Sequence, residues 1–135
     1  MNTDETGRPE PLIWMGSSHK DLKAFPAEVR HVIGFALFQA QMGRKHLDAK
    51  VLTGFGGAGV LEVVSDHDGD TFRTVYTVKL PGAVYALHAF QRKSKKGIKT
   101  PPAELDIVRK RLRAAEEHHA KRRAGDDEKR GPGNH

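Results

Sequence analysis

The apolar period of the chain switches from helical before residue 50 to extended after residue 60, and this switch constrains the fold more than any motif. Val29, Val32, Ile33, Ala36, Leu37 and Ala40 keep the i, i+3, i+4, i+7, i+8, i+11 spacing of one helix face, which predicts a helix over about 27–42. Phe35, Phe38 and Met42 form a second stripe beside it; the preferred reading is a helix buried on two sides, the alternative a partner-binding face. Further on, "VLEVVS" (60–65) reads as a strand, "DHDGD" as turn chemistry and "TFRTVYTVKL" (71–80) as an alternating strand. Pro81-Gly82 marks another turn before "AVYALHAFQ" (83–91), so these three strands form an antiparallel meander.

The flanks complete the order. "LIWM" (12–15) is a short apolar strand, and Ser18 and Asp21 stand in capping-box spacing for a short helix. Pro26 suits the first turn of the longer helix, where a missing amide costs nothing. Thr100 can cap a last helix with Pro101 in its first position and Leu105, Val108, Leu112 and Ala115 as its apolar stripe. The fold class is therefore α+β: a short N-terminal strand and two helices on an antiparallel meander, then a C-terminal helix, with helices on one sheet face and the other left available. Residues 1–10 read as a disordered leader, 11–120 as one domain, and 121–135 as a charged tail with too little apolar content to fold.

Several chemistries are disfavoured. There is no cysteine, hence no disulfide, thiolate metal site or cysteine nucleophile. The eight histidines include no H-x-x-x-H pair, and "DHDGD" lacks the length and terminal Glu of a calcium loop, so no metal is expected. Gly54 to Gly59 spell G-x-G-x-x-G, but a strand follows where a dinucleotide site needs a helix N-terminus, so the segment is read as a flexible connection and no cofactor is expected. No G-x-S-x-G supports acyl transfer. Neither end carries an apolar run of membrane-spanning length and the first residues are polar and acidic, so the expected location is cytoplasmic, without a membrane partner.

What stands out is charge. Lys and Arg number 23 against 17 Asp and Glu, and five of the cations (Arg92, Lys93, Lys95, Lys96 and Lys99) fall within eight residues where the last strand ends. A fixed basic patch on a compact domain favours a polyanion. Alternation puts Phe72, Thr74, Tyr76, Val78 and Leu80 against the helices and Arg73 on the uncovered face, beside that basic segment if the last strand is its hairpin neighbour. If the polyanion is RNA, cleavage needs no metal, because a ribose 2′-OH can attack its own phosphate. Arg73 would hold the phosphate, and a lysine among like charges can exchange protons near neutrality. His88 interrupts an apolar strand and reads as a hydrogen-bonded core residue, with a site role the minority reading.

"FRTVYTV" followed by "AVYALHAFQRKSKKGIKTPPAEL" closely resembles the RelE/HigB superfamily of type II toxin–antitoxin toxins, in its phage-related branch, over roughly residues 12–116. The resemblance implies a RelE-like fold and a metal-independent endoribonuclease that cleaves mRNA on the ribosome. It also implies a cognate antitoxin, often a helix-turn-helix protein, and no small-molecule cofactor. Arg73 matches the arginine of the F/Y-R-x-x-Y strand that contacts the scissile phosphate, and Lys93 the basic position ending the last strand. Lys95 and Lys96 lie in the following turn as acid/base or phosphate-contacting candidates, so the implied catalytic set is Arg73, Lys93, Lys95 and Lys96. Lys50, Arg92 and Lys99 are the RNA-binding candidates. The alternatives are a ParE-like toxin that inhibits gyrase and a non-catalytic nucleic-acid-binding module.

Overall fold

The computed structural model describes residues 7–57, 59–93 and 99–130, with side chains as far as Gly125. Its elements are β1 (Leu12–Trp14), α1 (Ser18–Lys23), α2 (Ala27–Gln41), β2 (Ala49–Val51), β3 (Val60–His67), β4 (Asp70–Thr77), β5 (Val84–Arg92) and α3 (Pro102–Arg130). The strands form one mixed sheet in the order β1-β5-β4-β3-β2, in which only the β1–β5 pair is parallel. The fold is α+β, with two helices near the N-terminus and one at the C-terminus.

The meander follows from its turns. Asp68 (φ 51°) and Gly69 (φ 84°) both occupy the left-handed region, which is the two-residue hairpin geometry whose twist matches that of the flanking strands. It sets β3 against β4 with Val64 opposite Arg73 and Glu62 opposite Val75. Between β4 and β5 the register shifts at Val75/Tyr76: Val75 faces His88 and Tyr76 faces Ala86, leaving Leu87 as the extra residue of a bulge.

The faces of the sheet differ from expectation. α1 and α2 cover one face, where Val29, Ile33, Ala36 and Leu37 pack with Leu61, Val63, Phe72, Tyr76, Val84 and Ala89. α3 covers the other, where Val108, Leu112 and Ala115 pack with Val60, Val75, Tyr85 and Leu87. The meander's second face is thus not left open. β5 is apolar on both faces because both are covered, which burial of every residue from Val84 to Phe90 requires. Leu80, expected under the first two helices, packs on the α3 side, because β4 ends at Thr77 and alternation no longer governs the residues after it.

Local corrections have equally local causes. Ser17, not Ser18, is the N-cap position of α1; its hydroxyl meets Asp21 Oδ2 at 2.6 Å, while Ser18 is buried and donates to the Ala86 carbonyl at 3.2 Å. Phe35 and Phe38 are 55% and 46% exposed, so α2 is buried on one side only. β2, which no pattern in the sequence marks, is three residues long and buries only Ala49. α3 runs ten residues past 120. Val108 to Ala115 anchor it, His118 Nδ1 meets the Tyr85 hydroxyl at 2.9 Å, and His119 Nε2 meets the Pro81 carbonyl at 2.7 Å. Beyond these contacts "KRRAGDDEKR" lacks core residues but not helix formers, and low apolar content alone does not end a helix.

Candidate functional site

Arg73 lies on β4 on the α3 side of the sheet, two residues from the core residue Val75. There it is 7% exposed, and such a charge must be paired. Its partner is Glu62 on β3, diagonally across the ladder: Arg73 Nη1 donates to Glu62 Oε1 at 3.0 Å. The second carboxylate oxygen accepts the Thr100 hydroxyl at 2.7 Å, and Thr100 is also buried. Thr100 therefore does not cap α3 with its side chain; the Pro101 carbonyl accepts the amides of Glu104 and Leu105 in the first turn. One buried carboxylate ties the middle of the meander to the segment that enters the last helix.

Beside this trio is a hollow of about 240 Å³, lined by Glu62, Arg73, Lys99, Thr100, Val51, Leu52, Thr53 and Leu105. It lies between two chain segments that α3 helps to hold. Phe55, in the glycine-rich segment after Thr53, is buried in the α3-side cluster, and the Arg109 guanidinium lies 5.4 Å from its ring centre. The glycine-rich segment is thus anchored through its aromatic residue, and it leads from β2 into β3, not into a helix.

Cross-strand register gathers further cations on the same face. Lys50 stands opposite Glu62, and Phe90 opposite Arg73 with Arg92 opposite Thr71, so Lys50, Arg73 and Arg92 share the side of the sheet that bears the hollow. Lys50 and Lys99 are exposed and Arg92 half-buried. Glu62 offsets the charge of Arg73, so the unbalanced cation lining the hollow among the described residues is Lys99, with Lys50 and Arg92 on the same side of the sheet.

Of the residues singled out from the sequence, Arg73 and Lys99 line one hollow, and Lys50 and Arg92 lie on the same side of the sheet. Lys93 is exposed just beyond the end of β5. Lys95 and Lys96 lie outside the described residues. Arg73 does not project freely from an uncovered face, because α3 and Thr100 close over that face. His88 belongs to the core. Its Nε2 meets Glu104 Oε1 at 2.6 Å, its Nδ1 meets Arg111 Nη1 at 3.3 Å, and its ring stacks on Phe90. Arg111 also donates to the Leu87 carbonyl and the Ser17 hydroxyl, so this network binds α3 to the sheet and to the start of α1. Among the described residues, no three His, Asp or Glu side chains are placed to hold a metal ion, and no helix is long and apolar enough to cross a membrane.

Sequence reasoning missed Glu62 and the true task of Thr100. The available signal was an acid inside the apolar run "VLEVVS", which burial makes costly unless a cation faces it.

Comparison with known proteins adds three findings. The family model described as Phage derived protein Gp49-like matches residues 20–113. No curated protein matches the chain. Among solved structures, a chain of the toxin–antitoxin complex RelBE2 from Mycobacterium tuberculosis is similar at 19% identity, covering 67% of this chain and all of that one, with a TM-score of 0.43.

Proposed function

Because the chain belongs to the Gp49-like family of phage-derived proteins, we propose that it is the toxin of a type II toxin–antitoxin pair and acts as a metal-independent endoribonuclease on mRNA at the ribosome. The observation that carries the reading is that Arg73 and Lys99, from the middle of the meander and from beyond its exit, line one anion-sized hollow. The family's description as phage-derived agrees with the phage-related branch that the "HAFQRKSKK" segment resembles.

A phosphodiester at the hollow meets the Arg73 guanidinium, whose Nη1 Glu62 holds and whose charge is fixed. Charge grows on the phosphate oxygens as the 2′-OH attacks, and a fixed cation there stabilises the phosphorane more than the ground state. The 2′-OH proton leaves, the 5′-oxygen gains one, and the products are a cyclic phosphate and a 5′-hydroxyl. Lys93, Lys95 and Lys96 supply these proton transfers and the remaining phosphate contacts; Lys50, Arg92 and Lys99 hold the flanking backbone. His88 takes no part, since both ring nitrogens serve the α3 network.

The partner is an antitoxin that engages the exposed α2 face, where Phe35 and Phe38 meet solvent. Inducible expression of the chain with sequencing of mRNA 5′ ends tests the function. Growth arrest with new ends confined to translated frames, abolished by Arg73→Ala, is expected. Arrest with intact transcripts and DNA-damage signalling would instead assign a gyrase inhibitor.

A further inference from the structure

Among the described residues Glu62 is the only acid lining the hollow, and an acid is out of place in a site that must attract phosphate. Its position opposes binding by charge, so its presence there calls for a task that outweighs the repulsion. Two tasks are chemically available: accepting a proton, or holding neighbours in place. The contacts distinguish them. Oε1 accepts from Arg73 at 3.0 Å and Oε2 from Thr100 at 2.7 Å, and both partners are buried. Both oxygens already accept from buried internal donors, which favours the holding role over proton acceptance.

We infer that Glu62 is a positioning residue, which fixes the Arg73 guanidinium and, through Thr100, the register between the sheet and the basic segment leading into α3. The inference rests on the proposed ribonuclease reading for its consequence in catalysis, and on the structure alone for the placement. The logic is geometric. Arg73 is a long side chain with several rotatable bonds, and pinning one edge of its guanidinium removes that freedom before substrate arrives. Lys99 adjoins Thr100, so the bond that holds Thr100 also anchors the backbone from which Lys99 reaches the hollow. Thr100 is held by Glu62 on the α3 side of the basic segment of the sequence, and β5 ends at Arg92 on its other side. Glu62 thus couples the two halves of the site.

The test compares Glu62→Ala, Glu62→Gln, Thr100→Val and the Glu62→Ala/Thr100→Val pair in the full chain. Single-turnover cleavage on programmed ribosomes is read beside affinity for a 2′-O-methyl oligoribonucleotide, which cannot be cut. Thermal melts confirm folding. Misplacement of about 1 Å at a catalytic contact costs about a hundredfold in rate, so Glu62→Ala lowers cleavage by about that factor while probe affinity is held or improves. Glutamine can accept from Arg73 and donate to the Thr100 hydroxyl, so Glu62→Gln recovers the rate to within about tenfold of wild type. Thr100→Val lowers the rate on its own, and the double variant is no worse than Glu62→Ala, as expected of groups joined in one network. Equal losses in Glu62→Gln and Glu62→Ala would overturn the inference in favour of proton acceptance, and full activity in Glu62→Ala would overturn it outright. Should the wild-type chain cut no RNA, the ribonuclease reading fails while the placement is still read from the Arg73 guanidinium resonances. Hindered rotation in wild type and Glu62→Gln, lost in Glu62→Ala, supports it. Unchanged rotation in Glu62→Ala refutes it.

Discussion

Replacing Arg73 by methionine separates the stabilising role of this residue from its chemical one. The Arg73 and Glu62 side chains are 8% and 10% exposed, so the pair is desolvated on both sides. Removing one member of such a pair leaves the other buried and uncompensated, at a cost of about 3–5 kcal/mol. Thr100 still donates to Glu62 after the change, which places the loss at the lower end, about 3 kcal/mol. For a chain of 135 residues this lowers Tm by about 10 °C. The triple replacement Arg73→Met, Glu62→Met, Thr100→Val removes all three polar partners together and fills their space with apolar groups. It should regain most of the lost stability, since a buried ion pair and a well-packed apolar substitute are often nearly equivalent. Urea unfolding followed by circular dichroism measures both. The single variant should lose roughly a third of a typical domain's stability, and the triple variant should fold but cleave nothing. If Arg73→Met unfolds at the wild-type urea midpoint, Glu62 is solvated and the buried-pair argument is wrong.

Three further outcomes follow from other parts of the molecule. Tyr76 is fully buried, its hydroxyl has no hydrogen-bond partner among the described residues, and burial pushes its pKa up to about 12. Tyr76→Phe should therefore raise stability by about 1 kcal/mol at pH 7. In the wild type the unfolded tyrosine ionises from its ordinary value of 10.0 while the folded one stays neutral. Stability attributable to Tyr76 is complete below pH 10 and is lost as pH rises towards 12, by about 3 kcal/mol in all, and the phenylalanine variant should lack this loss in alkaline melts. Phe35→Ser and Phe38→Ser should each weaken antitoxin binding by about 2 kcal/mol, close to thirtyfold, with mRNA cleavage by the free toxin unaffected; calorimetry with the purified pair checks this, and unchanged affinity would place the antitoxin elsewhere. Lys93→Ala should reduce the salt dependence of oligoribonucleotide binding by about one unit of slope while cleavage falls by orders of magnitude; parallel losses in both would favour a binding module over an enzyme.

Legibility in the sequence varied with how far each feature depends on distant contacts. α2 and the β3–β4 hairpin were readable because their signals are local: a 3.6-residue apolar period in one case, Asp68-Gly69 in the other. The side of the sheet taken by α3 was not readable from the stripe Leu105 to Ala115, which would fit either face. The evidence lay in β5, whose residues are apolar on both faces and so require cover on both. β2 was missed because three residues with one buried side chain carry no alternation. Charge and resemblance singled out Arg73, Lys50, Arg92 and Lys99 as candidates, but not the carboxylate that pairs with Arg73. Glu62 is an isolated acid in an apolar strand, and its meaning depends on Thr100, 38 residues further along the chain.

The central claim is that Arg73 and the cations beyond β5 meet one phosphate chain. The direct measurement is side-chain NMR of the arginine and lysine nitrogens during titration with a 2′-O-methyl oligoribonucleotide. Arg73 and Lys99 should shift together with Lys93 along a single binding curve. Shifts confined to Arg92 and Lys93, with Arg73 unmoved at saturation, would make Arg73 a structural ion pair and contradict the account.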